Sequence, residues 1–152
     1  MTVGTVAIRV AMMPPEPEWC RVACLQCSSS GVHDFKRLNV WQMAADFAVE
    51  VYRASLRFPR SDRGVVGTQL RKAAQSIPAN VAEGCGVGSP RETARFYKQA
   101  SRSACEVENH LIMATRLEYL HPKLSAQYLA TIGSIQRMLA PLIKRLPDDP
   151  RP

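Results

Sequence analysis

The sequence lacks the features of membrane-spanning and secreted, disulfide-rich proteins. Its 152 residues contain no run of about 18 apolar residues, so no ordinary transmembrane helix is predicted. The start, MTVGTVAIRVAMMPPEPEW, has no basic leader, and Arg9 interrupts its apolar run, so it does not predict a signal peptide. The five cysteines are an odd number, which favours free thiols. We therefore expect a cytoplasmic protein without membrane contact.

Histidine is scarce, and no catalytic constellation is recognisable. Nucleophilic catalysis needs a serine or cysteine beside a positioned base. The three histidines lie apart and match no such motif: His33, His110 and His121. We expect no catalytic residue, no cofactor and no enzymatic activity.

Three cysteines, Cys20, Cys24 and Cys27, lie close together. Their C-x3-C-x2-C spacing can ligate an iron–sulfur cluster, because thiolates are suitable ligands. That spacing belongs to radical enzymes with a large barrel, which nothing in this sequence predicts, and no fourth ligand lies nearby. We expect no metal site; a metal or redox role for these cysteines is the weakest hypothesis.

Sustained alternation of apolar and polar residues is also absent, which argues against β-strands. Helical periodicity begins instead near Phe35, and it predicts helices over residues 38–57, 62–84, 89–118 and 123–146. Short connections between four helices predict an all-α, antiparallel up-down four-helix bundle. We assign it to residues 34–147. Residues 148–152 are expected to form a disordered tail. Residues 1–33 are expected to form a flexible N-terminal tail. The alternative is that the start codon is assigned too far upstream and these residues are not translated.

The first predicted helix is apolar around most of its circumference. Its polar residues occupy one narrow stripe, formed by Gln42, Asp46, Glu50, Arg53 and Arg57. Surface helices usually have a narrower apolar face. The pattern therefore favours a further interface, without giving a number of subunits.

The second predicted helix contains Pro78. Its apolar residues keep one phase across the proline, which favours a continuous, kinked helix. The alternative is two short helices broken at Ile77. Three alternating glycines follow, Gly84, Gly86 and Gly88. Because they follow a helix and not a strand, they indicate a turn instead of a phosphate-binding loop.

The third predicted helix begins at Ser89-Pro90-Arg91-Glu92, which has the form of a capping box. Its inward line is predicted to include Phe96 and Leu111. His121-Pro122 ends this helix, and Pro141 is expected to bend or end the fourth.

The chain is basic, with a formal net charge of +7. Residues 53–102 hold ten cations and three anions, a balance that favours acidic partners such as nucleic acid. Spacings of four, three and four place four cations within about 60° of one helix face, over about 16 Å. They are Arg91, Arg95, Lys98 and Arg102.

This line of cations is spaced to follow the phosphates of RNA or DNA, with non-specific and salt-sensitive binding. We include Arg71 and Lys72 in the candidate nucleic-acid surface. The plainer interpretation is a solvated helix face that happens to be basic.

A second polar line runs along the second predicted helix, through Gln69, Lys72, Ser76, Asn80 and Glu83. It indicates either solvation or a hydrogen-bonded network where alanines let helices or subunits approach closely. The candidate contact motif comprises Ser76, Pro78, Asn80, Glu83 and Gly84.

Three stretches resemble one protein family. They are Phe35-Lys-Arg-Leu-Asn-Val-Trp41-Gln-Met-Ala44, Phe58-Pro59, and Gln69 to Gly84 with its Ser-Ile-Pro-x-Asn-Val/Ile-Ala-Glu-Gly run. These stretches are similar to the four-helix-bundle proteins encoded in intervening sequences of bacterial 23S ribosomal RNA genes. The likeness covers about residues 35–146.

The resemblance implies a left-handed up-down bundle that assembles as a homopentamer and has no established enzymatic activity. It also implies distant kinship with the accessory protein of diversity-generating retroelements, a basic pentamer that binds nucleic acid and a reverse transcriptase. Three positions depart from the family pattern: Val87, Gly64-Val65 and Arg102. Arg102 replaces a usual glycine, which extends the basic line and puts a close helix contact in question.

The sequence thus predicts a non-enzymatic, oligomeric protein that binds nucleic acid non-specifically through a basic helix face. The alternative is a structural or protein-interaction module that docks an acidic protein and binds no nucleic acid.

Overall fold

The computed structural model describes residues 34–146, which form four long helices. In chain order these are α1 (Asn39–Ser55), α2 (Val66–Gly86), α3 (Pro90–Arg116) and α4 (Pro122–Lys144). A 3-10 turn, Phe35–Arg37, precedes α1, and a one-turn helix, Arg60–Arg63, lies between α1 and α2. The predicted all-α fold is confirmed, and within residues 34–146 there is no strand. The predictions for residues 1–33 and 148–152 lie outside the described residues.

Each helix packs against its neighbours in the sequence, and α4 closes the bundle against α1. The contacts between α2 and α3 are antiparallel, since Ser76 meets Ser103 while Gly84 meets Thr93 near the connecting turn. At the α1–α4 contact, the Phe47 and Tyr128 rings pack edge to face with centroids 5.6 Å apart. In this arrangement α1 and α3 lie diagonally opposite each other.

The core is aliphatic and rich in alanine. Its largest fully buried side chains come from all four helices and from the α1–α2 connection: Val51, Phe58, Leu70, Ile77, Leu111, Ile132, Ile135 and Leu139. Several alanines are also fully buried, including Ala74, Ala100 and Ala104. Small buried residues let the helix backbones approach closely, so part of the core consists of contacts between backbones.

α2 continues through Pro78 to Gly86, so the alternative of two helices broken at Ile77 is wrong. Proline lacks an N–H, but the buried residues on both sides of it, Leu70, Ala73, Ile77 and Val81, hold the helix against the core. Pro141 likewise lies inside α4 and does not end it. Tertiary packing therefore overrides the helix-breaking tendency at both prolines.

The start of α3 differs in detail from the sequence prediction. Ser89 is the N-cap and Pro90 the first helical residue, but the Ser89 side chain makes no capping hydrogen bond. The hydroxyl of Thr93 instead lies 3.0 Å from the Gly84 carbonyl and 3.1 Å from the Ser89 carbonyl. A threonine hydroxyl therefore links the ends of α2 and α3, where a reciprocal capping box was expected.

The inward line of α3 also needs one correction. Tyr97 is buried, whereas Phe96, predicted to face inward, is half-buried. Gly84 explains the difference, because it leaves space on α2 that the Tyr97 ring fills. None of the helices formed by residues 34–146 is both long and apolar enough to cross a membrane.

Candidate functional site

The outer face of α3 carries the four predicted cations in one line, called here the basic ridge: Arg91, Arg95, Lys98 and Arg102. The three arginines are exposed and Lys98 is half-buried. The buried stripe of α3, which includes Ala100, lies on the opposite side of the helix. The ridge therefore points directly away from the core.

The aromatic side chains of α3 are half-buried or buried. The two aromatic rings of α3 belong to Phe96 and Tyr97. The Arg95 guanidinium lies 5.4 Å from the centre of the half-buried Phe96 ring. The buried Tyr97 hydroxyl lies 3.4 Å from the Sγ of Cys85 on α2. The ridge thus offers charge at its surface, while its rings serve the packing of α2 against α3.

Arg71 is not part of this ridge. Its guanidinium donates to the hydroxyls of Ser55, at 2.9 Å, and Thr68, at 2.8 Å. It also lies 5.7 Å from the centre of the Tyr52 ring. Arg71 is therefore engaged in joining α1 to α2, whereas the neighbouring Lys72 is exposed.

The polar line on α2 forms a small network with α3. The Asn80 amide donates to the carbonyl and hydroxyl of Ser76, at 2.7 and 2.9 Å. The hydroxyl of Ser103, which is buried on α3, lies 3.0 Å from the Ser76 hydroxyl. Ser76 and Asn80 therefore lie at a contact between helices of the same chain, while Glu83 is exposed.

α2 and α3 approach each other closely at Gly84. A Cβ atom placed on it would lie 2.7 Å from Cε1 and 2.9 Å from Cδ1 of Tyr97. It would also lie 3.2 Å from the Cβ of Phe96. A side chain at this position would have to displace the Tyr97 ring, so Gly84 permits the close packing of α3 on α2.

Pro78 lies on the other side of α2, in an open groove of about 370 Å³ shared with α1. The groove is lined almost entirely by apolar atoms, from Phe35, Trp41, Ala45, Ala48, Gln75, Pro78, Ala79 and Ala82. The Phe35 and Trp41 rings pack edge to face at its end, 4.9 Å apart. Sequence reasoning placed Pro78 in a contact motif but did not identify the groove itself.

Apolar side chains continue from the groove along α1. Val49, Tyr52 and Leu56 are 48%, 47% and 44% exposed. At 100° per residue they fall on the same flank of α1 as Trp41 and Ala45. We call these five residues the apolar face. Their exposure confirms that the apolar surface of α1 extends beyond the part that packs in the core.

Both histidines and a buried cysteine of the described residues have local partners. The Nε2 atom of His110 lies 3.6 Å from a Glu106 carboxylate oxygen, and His121 Nδ1 accepts from the Lys123 amide. Burial raises the pKa of the Cys85 thiol, with an opposing contribution from its hydrogen bond to Tyr97. Within residues 34–146 no three His, Cys, Asp or Glu side chains group to hold a metal ion. Cys20, Cys24 and Cys27 lie outside the described residues.

Comparison with known proteins identifies one family. The 23S rRNA-intervening sequence protein family matches residues 36–141 of this chain. No curated protein matches this chain. A similar solved structure comes from Bacteroides thetaiotaomicron VPI-5482 and is described as a protein with unknown function from the S23 ribosomal protein family. It shares 22% identity, covers 68% of this chain and 90% of its own, and superposes with a TM-score of 0.62, which shows the fold alone.

Proposed function

We propose that this chain, which belongs to the 23S rRNA-intervening sequence protein family, self-associates, binds nucleic acid and has no enzymatic activity. The contact is the basic ridge on α3, and the binding is to phosphates, without sequence specificity. The second surface, the apolar face with its groove, contacts further copies of the chain.

The observation that carries the proposal is the geometry of the ridge. Four cations line a single exposed helix face that the core does not use. Cations in such a row release counterions from a phosphate backbone, and this release supplies most of the affinity in non-specific binding. Base edges are not needed for it, which agrees with an α3 whose rings, Phe96 and Tyr97, are half-buried and buried.

Self-association is supported by the apolar face. Monomeric proteins rarely expose a continuous apolar surface of this kind, and such surfaces mark interfaces. The assembly into a pentamer rests on the resemblance to the family. Contact with a reverse transcriptase rests on the same resemblance alone.

The absence of catalysis is supported by how the polar side chains are used. Both described histidines, His110 and His121, face local partners on their own helix or at its cap. The buried thiol of Cys85 has a raised pKa, which disfavours the nucleophilic thiolate.

The test is a titration of a labelled nucleic acid with the purified chain at increasing salt. We expect the logarithm of the binding constant to fall linearly with the logarithm of salt concentration. The double variant Arg95→Glu/Arg102→Glu should weaken binding more than tenfold and lower the salt slope by about 2.

The matched control is Arg53→Glu/Arg57→Glu, which makes the same charge change at exposed positions on or just after α1, diagonally opposite α3. It should weaken binding far less, and circular dichroism should show equal helix content in both variants. Equal losses in the two variants would mean that net charge, and not the ridge, governs binding. Absence of binding at low salt would favour the alternative, a module that docks an acidic protein.

A further inference from the structure

We infer that the basic ridge selects nucleic acid duplexes, of RNA or DNA, over single strands. This inference rests on the proposed function and names the substrate class for the same surface.

The first argument is the rigidity and straightness of the ridge. Its cations are fixed to consecutive turns of α3, over about 16 Å from Arg91 to Arg102. A duplex presents a rigid, dense row of charge, one phosphate for about every 1.7 Å of its axis. A rigid, densely charged duplex can meet the cations of the ridge without having to be reshaped.

The second argument is that residues 34–146 form no stacking platform along the ridge. Proteins that hold single strands combine a cationic groove with exposed aromatic rings on which the bases stack. On α3 the Phe96 ring is half-buried next to Arg95, and Tyr97 is buried against Gly84 and Cys85. A single strand would therefore gain charge contacts but no stacking.

The third argument concerns conformational entropy. A flexible single strand must be straightened to follow four cations on one helix, and ordering it opposes binding. A duplex with a persistence length of about 150 base pairs is already straight over the length of the ridge. Without stacking to offset the ordering of the strand, the duplex is favoured.

The neighbouring surfaces do not restore stacking to the ridge. The exposed Tyr52 ring lies on α1, diagonally opposite α3, and is paired with the Arg71 guanidinium. Trp41 is half-buried and packs on Phe35 at the groove. A strand lying along the ridge therefore runs beside polar residues of α3.

The experiment uses the full chain and four probes of equal length: a duplex RNA, a duplex DNA, an unstructured single strand, and a strand of the same length with abasic sites throughout. We expect at least one duplex to bind at least tenfold more tightly than the single strand at about 50 mM salt. For each ridge that contacts the nucleic acid, we plot the logarithm of the binding constant against the logarithm of the salt concentration. The slope should be about −3.6 for the duplex and about −2.8 for the single strand. The abasic strand should match the base-containing single strand within twofold.

Two results would overturn the preference while leaving the proposed function intact. One is equal affinity for duplexes and single strand, with both lost in Arg95→Glu/Arg102→Glu. The other is a base-containing strand that binds tenfold more tightly than the abasic strand, which would reveal stacking. Absence of binding to all four probes would instead refute the proposed function.

Discussion

Two outward helix faces of this bundle have the same spacing and opposite chemistry. On α1 and the residue that caps it, steps of four, three and four give Ala45, Val49, Tyr52 and Leu56. On α3 the same steps give Arg91, Arg95, Lys98 and Arg102. Both lines lie within a narrow arc of a helix, and both extend about 16 Å. The backbone therefore provides two equivalent surfaces, and the side chains alone decide that one suits an apolar partner and the other phosphates.

The largest effect is expected when charge is placed on the apolar face. In Val49→Glu/Tyr52→Glu, two carboxylates would have to be buried in any interface, which is strongly unfavourable without partners. We expect complete loss of self-association, with the mass in light scattering falling to that of one chain. Gln99→Glu, which adds charge at an exposed position of α3, is the control and should leave the mass unchanged. An unchanged mass in the double variant would assign the interface elsewhere.

The next prediction concerns the glycine that positions the basic ridge. Gly84→Ala brings a Cβ within 2.7 Å of the buried Tyr97 ring, and overpacking of this kind costs about 1–3 kcal/mol of unfolding free energy. At Gly86, the last residue of α2, a Cβ has nothing within 4 Å, so Gly86→Ala should be neutral or slightly stabilising. Urea unfolding of both variants measures the contrast. Equal stability would show that α3 can shift away from α2 at little cost.

A smaller effect is expected at the hydrogen bond between Ser76 and Ser103, on the buried side of α3. Its two hydroxyls lie 3.0 Å apart at the α2–α3 contact. Ser103→Ala should reduce the unfolding free energy by about 1 kcal/mol. A double-mutant cycle with Ser76→Ala should give a coupling of about 0.5 kcal/mol or more. Additive effects of the two substitutions would contradict a direct bond.

The smallest effect belongs to Glu50, on the flank of α1 away from the apolar face. Burial, and then repulsion from Asp46, raise the pKa of this carboxyl, while Arg53 opposes the change. Because the folded-state pKa lies above the unfolded value, ionisation costs stability, and that cost appears as pH rises through the folded-state pKa.

Glu50→Gln should therefore stabilise the protein at pH 7 by roughly a few tenths of a kcal/mol, since the half-buried carboxyl is still screened by solvent. At pH 3, below the usual glutamate pKa of about 4.3, the gain should vanish. Thermal unfolding at the two pH values tests this. A gain of equal size at both would trace it to packing.

Much of the architecture follows from periodicity, and the exceptions have local causes. Both helices with internal prolines were predicted in about the right place, because their buried residues keep phase. Phe96 and Tyr97 lie on opposite edges of the inward arc of α3, so periodicity cannot decide which ring is buried. The missing side chain at Gly84, on another helix, decides it.

The candidate surfaces were predictable to different degrees. The basic ridge follows from spacing within one helix; its three arginines are exposed and Lys98 is half-buried. The role of Arg71 could not be predicted, since its partners Ser55 and Thr68 come together only through the turn between α1 and α2. The groove likewise needs two helices to form. Features made by one helix are readable from its sequence, whereas features shared by two helices are not.

The up-down order of the helices has a kinetic consequence. Because α2 packs on α1, α3 on α2 and α4 on α3, most contacts form between segments close together in the chain. Loop closure then costs little entropy before packing begins, and helical bundles of this kind fold in microseconds to milliseconds. We expect the chain to acquire its α2–α3 hairpin, and with it the correctly placed ridge, soon after these residues leave the ribosome.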